Sequence, residues 1–160
     1  MAGTVLANGT LLSNGWLMYA PRRSIDAAGV FIFALDTKRY LFLMRADARY
    51  ENTWALTGGR IELGETIADA LGRECEEEIG RTPSWVRLVP VEQFTSPDDR
   101  FAYHTFFGSV ECEFQPVLND EHTGYAWVEG NRWPRPLHPG LWSTVQLTEV
   151  QTKLLALEGA

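Results

Sequence analysis

Gly58-Gly59-Arg60-Ile61-Glu62-Leu63-Gly64-Glu65, running on into Thr66-Ile67-Ala68-Asp69-Ala70-Leu71-Gly72-Arg73-Glu74-Cys75-Glu76-Glu77-Glu78-Ile79-Gly80, is the stretch on which the reading of this chain turns. Ile67, Leu71, Cys75 and Ile79 recur every four residues, and this apolar stripe predicts a helix over 65–79. Thr66 is a good cap, Glu65 and Asp69 suit the positive end of the helix dipole, and Gly80 is a good stop. Glu74, Glu77 and Glu78 are three and four residues apart and so converge on one face, with Cβ atoms about 5–6 Å from one another. Glu76 falls off that face and reads as solvated. Like charges at this spacing repel, so something must offset them. Many glutamate runs are simply wet surface. A wet stripe, however, does not call for a double glycine and a carboxylate-rich loop just upstream. Magnesium takes oxygen ligands in near-octahedral geometry and keeps several waters, which suits three carboxylates and a nearby backbone carbonyl.

Working outward, Ala28 to Leu35 is a continuous apolar run rich in aromatic and β-branched residues, as in a buried strand. Asp36 to Arg39 is a polar turn and Tyr40 to Met44 a second strand, giving a hairpin. Trp54-Ala55-Leu56 is a short apolar piece broken by the glycines. After the helix, Trp85 to Thr95 and Phe101 to Phe114 read as strands joined by the turn Ser96 to Arg100. Tyr125 to Val128 is a short strand. Pro134, Pro136 and Pro139 mark a rigid, irregular stretch, and Thr148 to Leu157 is a final helix that buries Val150, Leu154 and Leu157. Residues 1–20 read as a β-rich lead-in, with Asn8-Gly9 and Asn14-Gly15 as turn signals. Strands, helix, strands, helix in that order predict an α+β fold: an α/β/α sandwich with a mixed β-sheet between helices.

The chain has 160 residues, which fits one domain spanning 1–160. Its formal net charge of −7 argues against binding nucleic-acid backbones. The same charge would repel a phosphate-bearing substrate, and a bound divalent cation resolves that conflict. Cys75 and Cys112 make neither a disulfide framework nor a paired metal motif, and Cys75 reads as a buried thiol. No basic segment precedes an apolar run, so neither a signal peptide nor a membrane span is expected, and the expected location is cytoplasmic.

The spacing of the central stretch resembles the Nudix box: Gly, five residues, Glu, seven residues, then Arg-Glu-apolar-any-Glu-Glu-any-Gly-apolar. Gly59, Glu65, Arg73, Glu74, Glu77, Glu78 and Gly80 occupy all its fixed positions, and Cys75 the inner apolar one. Arg81 replaces the usual final apolar residue, and Thr57 stands where a proline often precedes the glycines. The resemblance implies a Nudix-type sandwich and hydrolysis of the diphosphate linkage in a nucleoside diphosphate derivative, by water attack on phosphorus. It implies Mg2+ as cofactor, with Mn2+ as a substitute, held by Glu74, Glu77, Glu78 and the Gly58 carbonyl. Arg73 would orient a glutamate and Glu65 would support that network. The general base is Glu74 or, second, Glu121, in the loop before the Trp127 strand. Arg60, Arg45 and Arg23, with Arg22 beside it, are candidates for contacting the substrate.

Trp16, Tyr19, Phe101 and Tyr103 suit either base stacking or, more often for aromatics, core packing. His104, His122 and His138 show no ligand spacing and receive no role. The implied partner is a small nucleotide-type molecule, and a homodimer is compatible with the sequence. Two other readings share the fold. A non-catalytic nucleotide-binding domain tends to lose the box glutamates, which are all present here. A diphosphate isomerase needs a catalytic cysteine, and Cys75 lies on the core stripe.

Overall fold

In a computed structural model, residues 25–160 are described. The lead-in hairpin, Trp16, Tyr19, Arg22 and Arg23 lie outside them. Strand β1 (Ile25–Ala34) is the spine, buried from Ala27 onward. It runs parallel to β6 (Phe101–Val110) along its whole length. On its other edge its C-terminal half pairs antiparallel with β2 (Arg39–Arg45), while its N-terminal half pairs antiparallel with β4 (Thr57–Arg60). Two strands thus share one edge of β1, and the sheet forks between them. β3 (Trp54–Ala55) and β7 (His122–Glu129) extend β2, and β5 (Arg87–Thr95) closes the far edge on β6.

Alternation along β1 sends side chains to two cores. Val30 and Ile32, with Leu41 and Leu43, pack under helix α1 (Ile67–Ile79) through Leu71, Cys75 and Ile79. Phe31 and Phe33, with Tyr40, Phe42 and Phe107, pack under α2 (Pro139–Gln146) and α3 (Thr148–Glu158) through Leu141, Val145, Val150 and Leu154. The result is the expected α+β sandwich, a mixed sheet with one helix on one face and two on the other.

Helix α2 corrects the sequence reading, which took the proline-rich stretch as irregular. Pro139 stands in the first turn, where a missing amide proton costs nothing, and the His138 side chain accepts from the Gly140 amide at 3.1 Å. The proline is a helix start. Other boundaries differ by a few residues. Glu65 precedes α1, β5 begins after Trp85, β6 stops at Val110, and β7 begins as early as His122. Phe114 leaves the sheet and packs edge-on against Trp127 at 5.4 Å. Arg81, the departure at the end of the box, lies over the Phe114 ring at 4.5 Å, where a cation is favoured as an apolar group would be. No helix among the described residues is long and apolar enough to cross a membrane.

Candidate metal centre and active site

Helix α1 is tightly bounded. Thr66 and Asp69 form a reciprocal capping box, with both hydrogen bonds at 3.1 Å, and Gly80 ends the helix at φ 76° while its amide donates to Glu76. Between these ends the helix carries Glu74 and Glu78 toward β4. Both are buried, at 9% and 2% exposure, which is rare for carboxylates and costly unless they are compensated.

The double glycine makes room for them. A Cβ on Gly59 would lie 2.6 Å from the Glu74 carboxyl carbon, so any side chain there displaces the carboxylate. A Cβ on Gly58 would strike the Ala28 carbonyl across the β1–β4 ladder. With no side chain in the way, the Gly58 amide donates to Glu78 Oε1 at 3.2 Å. Glu78 Oε2, equally buried, has no partner among the described residues.

Arg73 ties the box together. It grips Glu65 with two bonds of 2.9 Å, donates to Glu74 Oε1 at 2.8 Å and to the Arg60 carbonyl at 2.8 Å, and reaches Glu77 at 3.4 Å. The fork on Glu65 uses the planarity of the guanidinium, which a lysine lacks. These bonds, chiefly that to Glu65, raise the Arg73 pKa, and in turn hold the Glu65 carboxyl below its usual range. Burial raises the Glu74 pKa, and Arg73 opposes that rise. Glu77 is exposed and Glu76 too, its carboxylate accepting from the Thr82 hydroxyl at 3.4 Å.

The third side of the site comes from the fork in the sheet. Arg45 ends β2, and His122 opens β7 opposite it. The His122 Nε2 lies 3.7 Å from Glu78 Oε2, and ligand atoms of Glu78, Glu121 and His122 fall within 4.8 Å of one another. Burial, with the Glu74 charge adding to it, pushes the Glu78 carboxyl up to about 9. Burial, with Arg45 adding to it, pushes the His122 imidazole down to about 4. Near neutral pH this pair is therefore a carboxyl beside an uncharged ring rather than a salt bridge.

Most of the residues singled out from sequence meet here. Glu74 and Glu78 lie together under Gly58 and Gly59, Arg73 and Glu65 brace them, and Glu121 approaches from the turn just before β7. Arg45 is half-buried, paired with Asp47 at 2.6 Å and close enough for its charge to act on Glu78. Arg60 is exposed, and its carbonyl serves Arg73. Phe101 packs on Tyr103 at 6.4 Å and on Phe94 at 6.1 Å, with the Tyr103 hydroxyl filling the space above Gly29. Sequence reasoning missed His122. Its only signal was adjacency to Glu121 at the start of a strand.

A capped helix presenting buried carboxylates to a double glycine matches the geometry of one hydrolase family. Residues 24–147 match the NUDIX domain, and the chain belongs to that family: it is a Nudix pyrophosphohydrolase, an enzyme acting on acid anhydrides. The family is typically metal-dependent, and the acidic cluster at Glu78 fits that habit. The chain is 32% identical over 102 residues to the nucleoside triphosphatase NudI of Escherichia coli O139:H28, an overlap of 56% of this chain and 72% of that one. It is 35% identical over 103 residues to the NudI of Salmonella newport, with the same coverage. Among solved structures it resembles the Nudix hydrolase RenU of M. smegmatis, with a TM-score of 0.65 and 21% identity over 96% of this chain and 95% of that one. It also resembles the E. coli dihydroneopterin triphosphate pyrophosphohydrolase, with a TM-score of 0.60 and 26% identity over 84% and 97% of the two chains.

Proposed function

We propose that this chain, acting as a single domain over 1–160, hydrolyses the diphosphate linkage of a nucleoside triphosphate or a close nucleoside diphosphate derivative, with Mg2+ as its cofactor and Mn2+ as a substitute. One observation carries the reading. Glu78 is almost fully buried, one of its oxygens has no partner among the described residues, and a second buried carboxylate, Glu74, stands one helical turn away. A divalent cation satisfies the orphaned oxygen and offsets the repulsion together. The similarity to NudI proteins, named as nucleoside triphosphatases, favours a nucleoside triphosphate as substrate.

In this reading Glu74, Glu77, Glu78 and the Gly58 carbonyl hold the cation. When bound, it neutralises phosphate oxygens and makes water more acidic. Glu74 is the general base. Arg73 donates to its Oε1, leaving Oε2 to accept a proton from water, and Glu65 keeps Arg73 in place. Water oxygen forms a bond to phosphorus, the phosphorus–oxygen bond of the bridge breaks, and the departing phosphate oxygen keeps the electron pair. A nucleoside triphosphate would give a nucleoside monophosphate and pyrophosphate. Glu121 is the alternative base, and Arg45, Arg60 and Arg23 supply positive charge to the substrate phosphates.

The test is a panel of nucleoside triphosphates, nucleotide sugars and dinucleotides incubated with Mg2+, with release of nucleoside monophosphate measured. Turnover of triphosphates that stops on chelation is expected. Failure to hydrolyse any member of the panel, with or without Mn2+, refutes the proposal.

A further inference from the structure

Between β2 and β3 the chain makes a short excursion over residues 46–53. The Arg45 amide donates to the Thr53 carbonyl and the Asn52 amide to the Arg45 carbonyl, both at 2.9 Å, which closes its base. The Tyr50 carbonyl accepts from the Thr53 hydroxyl at 2.7 Å, and the Ala46 amide donates to the Glu121 carbonyl at 2.9 Å. The loop is thereby fixed against the segment that carries Glu121. β3 brings a second element to it. The Trp54 amide donates to the Pro136 carbonyl and the His138 amide to the Trp54 carbonyl, both at 2.8 Å. The His138 ring consequently meets the Tyr50 ring edge-on, with centroids 4.3 Å apart.

Tyr50 gathers hydrogen-bond donors. The Arg45 guanidinium carbon lies 5.6 Å, and that of Arg49 5.1 Å, from the centre of its ring. A π face attracts a cation without supplying a conventional acceptor for its N–H groups. Arg45 is already paired with Asp47 at 2.6 Å. Arg49 is exposed and makes no ion pair among the described residues, so its donors are open. His138 Nδ1 accepts from the Gly140 amide at 3.1 Å, which puts the proton of the neutral ring on Nε2. Burial, with the Arg45 charge adding to it, lowers the His138 pKa, so the ring is uncharged near neutral pH and Nε2 donates. That Nε2 has no partner among the described residues either. Arg45 stands between this group and the catalytic carboxylates, since its charge acts on both His138 and Glu78.

Two open donors, one of them cationic, call for a ligand rich in anionic oxygen. A nucleobase edge mixes donors with acceptors, whereas a phosphate offers acceptors alone, and a guanidinium can take two of its oxygens at once. A cation at Glu78 serves the phosphates on either side of the cleaved bond. A nucleoside triphosphate carries one more phosphate beyond them. We infer that Arg49 and His138 receive the terminal phosphate of a nucleoside triphosphate, and so select triphosphates over diphosphates. The inference rests on the diphosphate-cleaving reading above and names the residues that set the length of its substrate.

Calorimetric titration of the Mg2+-loaded full chain tests this, with inorganic pyrophosphate and a nucleoside monophosphate as separate probes. Arg49→Met keeps the stem and removes the charge. His138→Asn keeps an oxygen that can cap Gly140 and removes the Nε2 donor. Arg49→Met should weaken pyrophosphate binding by about 10- to 100-fold and His138→Asn by about 3- to 10-fold, with monophosphate affinity within about twofold in both. In steady-state kinetics the ratio of kcat/KM for a triphosphate to that for the matching diphosphate should fall by about 10- to 100-fold in Arg49→Met. Weaker monophosphate binding with pyrophosphate binding intact would place these donors at the nucleoside end and overturn the inference. Unchanged affinity for both probes in both variants overturns it too, while continued triphosphate turnover leaves the reaction standing. A wild-type chain that binds pyrophosphate through Arg49 but hydrolyses no nucleotide supports the phosphate site and refutes the proposed reaction.

Discussion

Replacing Glu78 by glutamine tests the electrostatics of the site without removing its shape. The glutamine oxygen can still accept from the Gly58 amide, as Oε1 does at 3.2 Å, but the side chain can no longer ionise. In the cation-free protein burial holds the Glu78 carboxyl at about 9, far above the usual 4.5 of an exposed glutamate. Between those two values the folded state binds a proton that the unfolded chain has released, so stability falls as pH rises. The slope is about 1.4 kcal/mol per pH unit, which gives a loss of about 2 kcal/mol from about pH 7 to about pH 8.5. The window excludes His122. Its folded value of about 4 gives a slope of opposite sign, stability being lost as pH falls, but only below its unfolded value near 6.5. For a chain of this length the loss corresponds to about 4–8 °C in melting temperature. Thermal melts in a chelator at the two pH values should show that drop in the wild type, over and above whatever Glu78→Gln shows. Mg2+ at about a hundred times its Kd should restore about 2.7 kcal/mol to the wild type at the higher pH and much less to the variant. Parallel pH profiles for the two cation-free proteins would refute the argument, because they would mean that Glu78 titrates like a surface carboxylate.

Three further outcomes follow from the same geometry. Glu74→Gln should lower kcat by about 10²- to 10⁴-fold with circular dichroism unchanged, since it removes the proposed base and leaves the fold alone; kcat within a few fold of wild type would shift that role to Glu121. Arg73→Lys loses the two-pronged grip on Glu65 and should weaken Mg2+ binding by about 10- to 100-fold in calorimetry; unchanged affinity would show that the brace is dispensable. Gly80→Ala places a Cβ at φ 76° and 2.8 Å from the Val117 Cβ, and should cost about 1–3 kcal/mol in urea unfolding while leaving the fully folded enzyme's kcat intact.

What the sequence by itself determined is local. The period of four in Ile67, Leu71, Cys75 and Ile79, the cap at Thr66 and the stop at Gly80 depend only on residues within a turn or two, so the helix and the approach of Glu74 to Glu78 were legible before any fold was known. The apolar run ending at Leu35 and the spacing of the box were legible for the same reason. Helix α2 was not, because a proline signals both a break and a first turn, and the choice was decided by Leu141 and Val145 packing beneath Phe31 and Phe42. Nor was the depth of Glu78 readable: Glu77 next to it has the same chemistry and is exposed, and only the position of β4 over the helix separates them. His122 is the clearest case. Its place beside Glu78 depends on the fork between β2 and β4 and on one skipped residue in a ladder between distant strands. A one-residue slip reverses the faces of a strand while leaving composition and alternation unchanged, so only the tertiary pairing could bring that ring to the acidic helix.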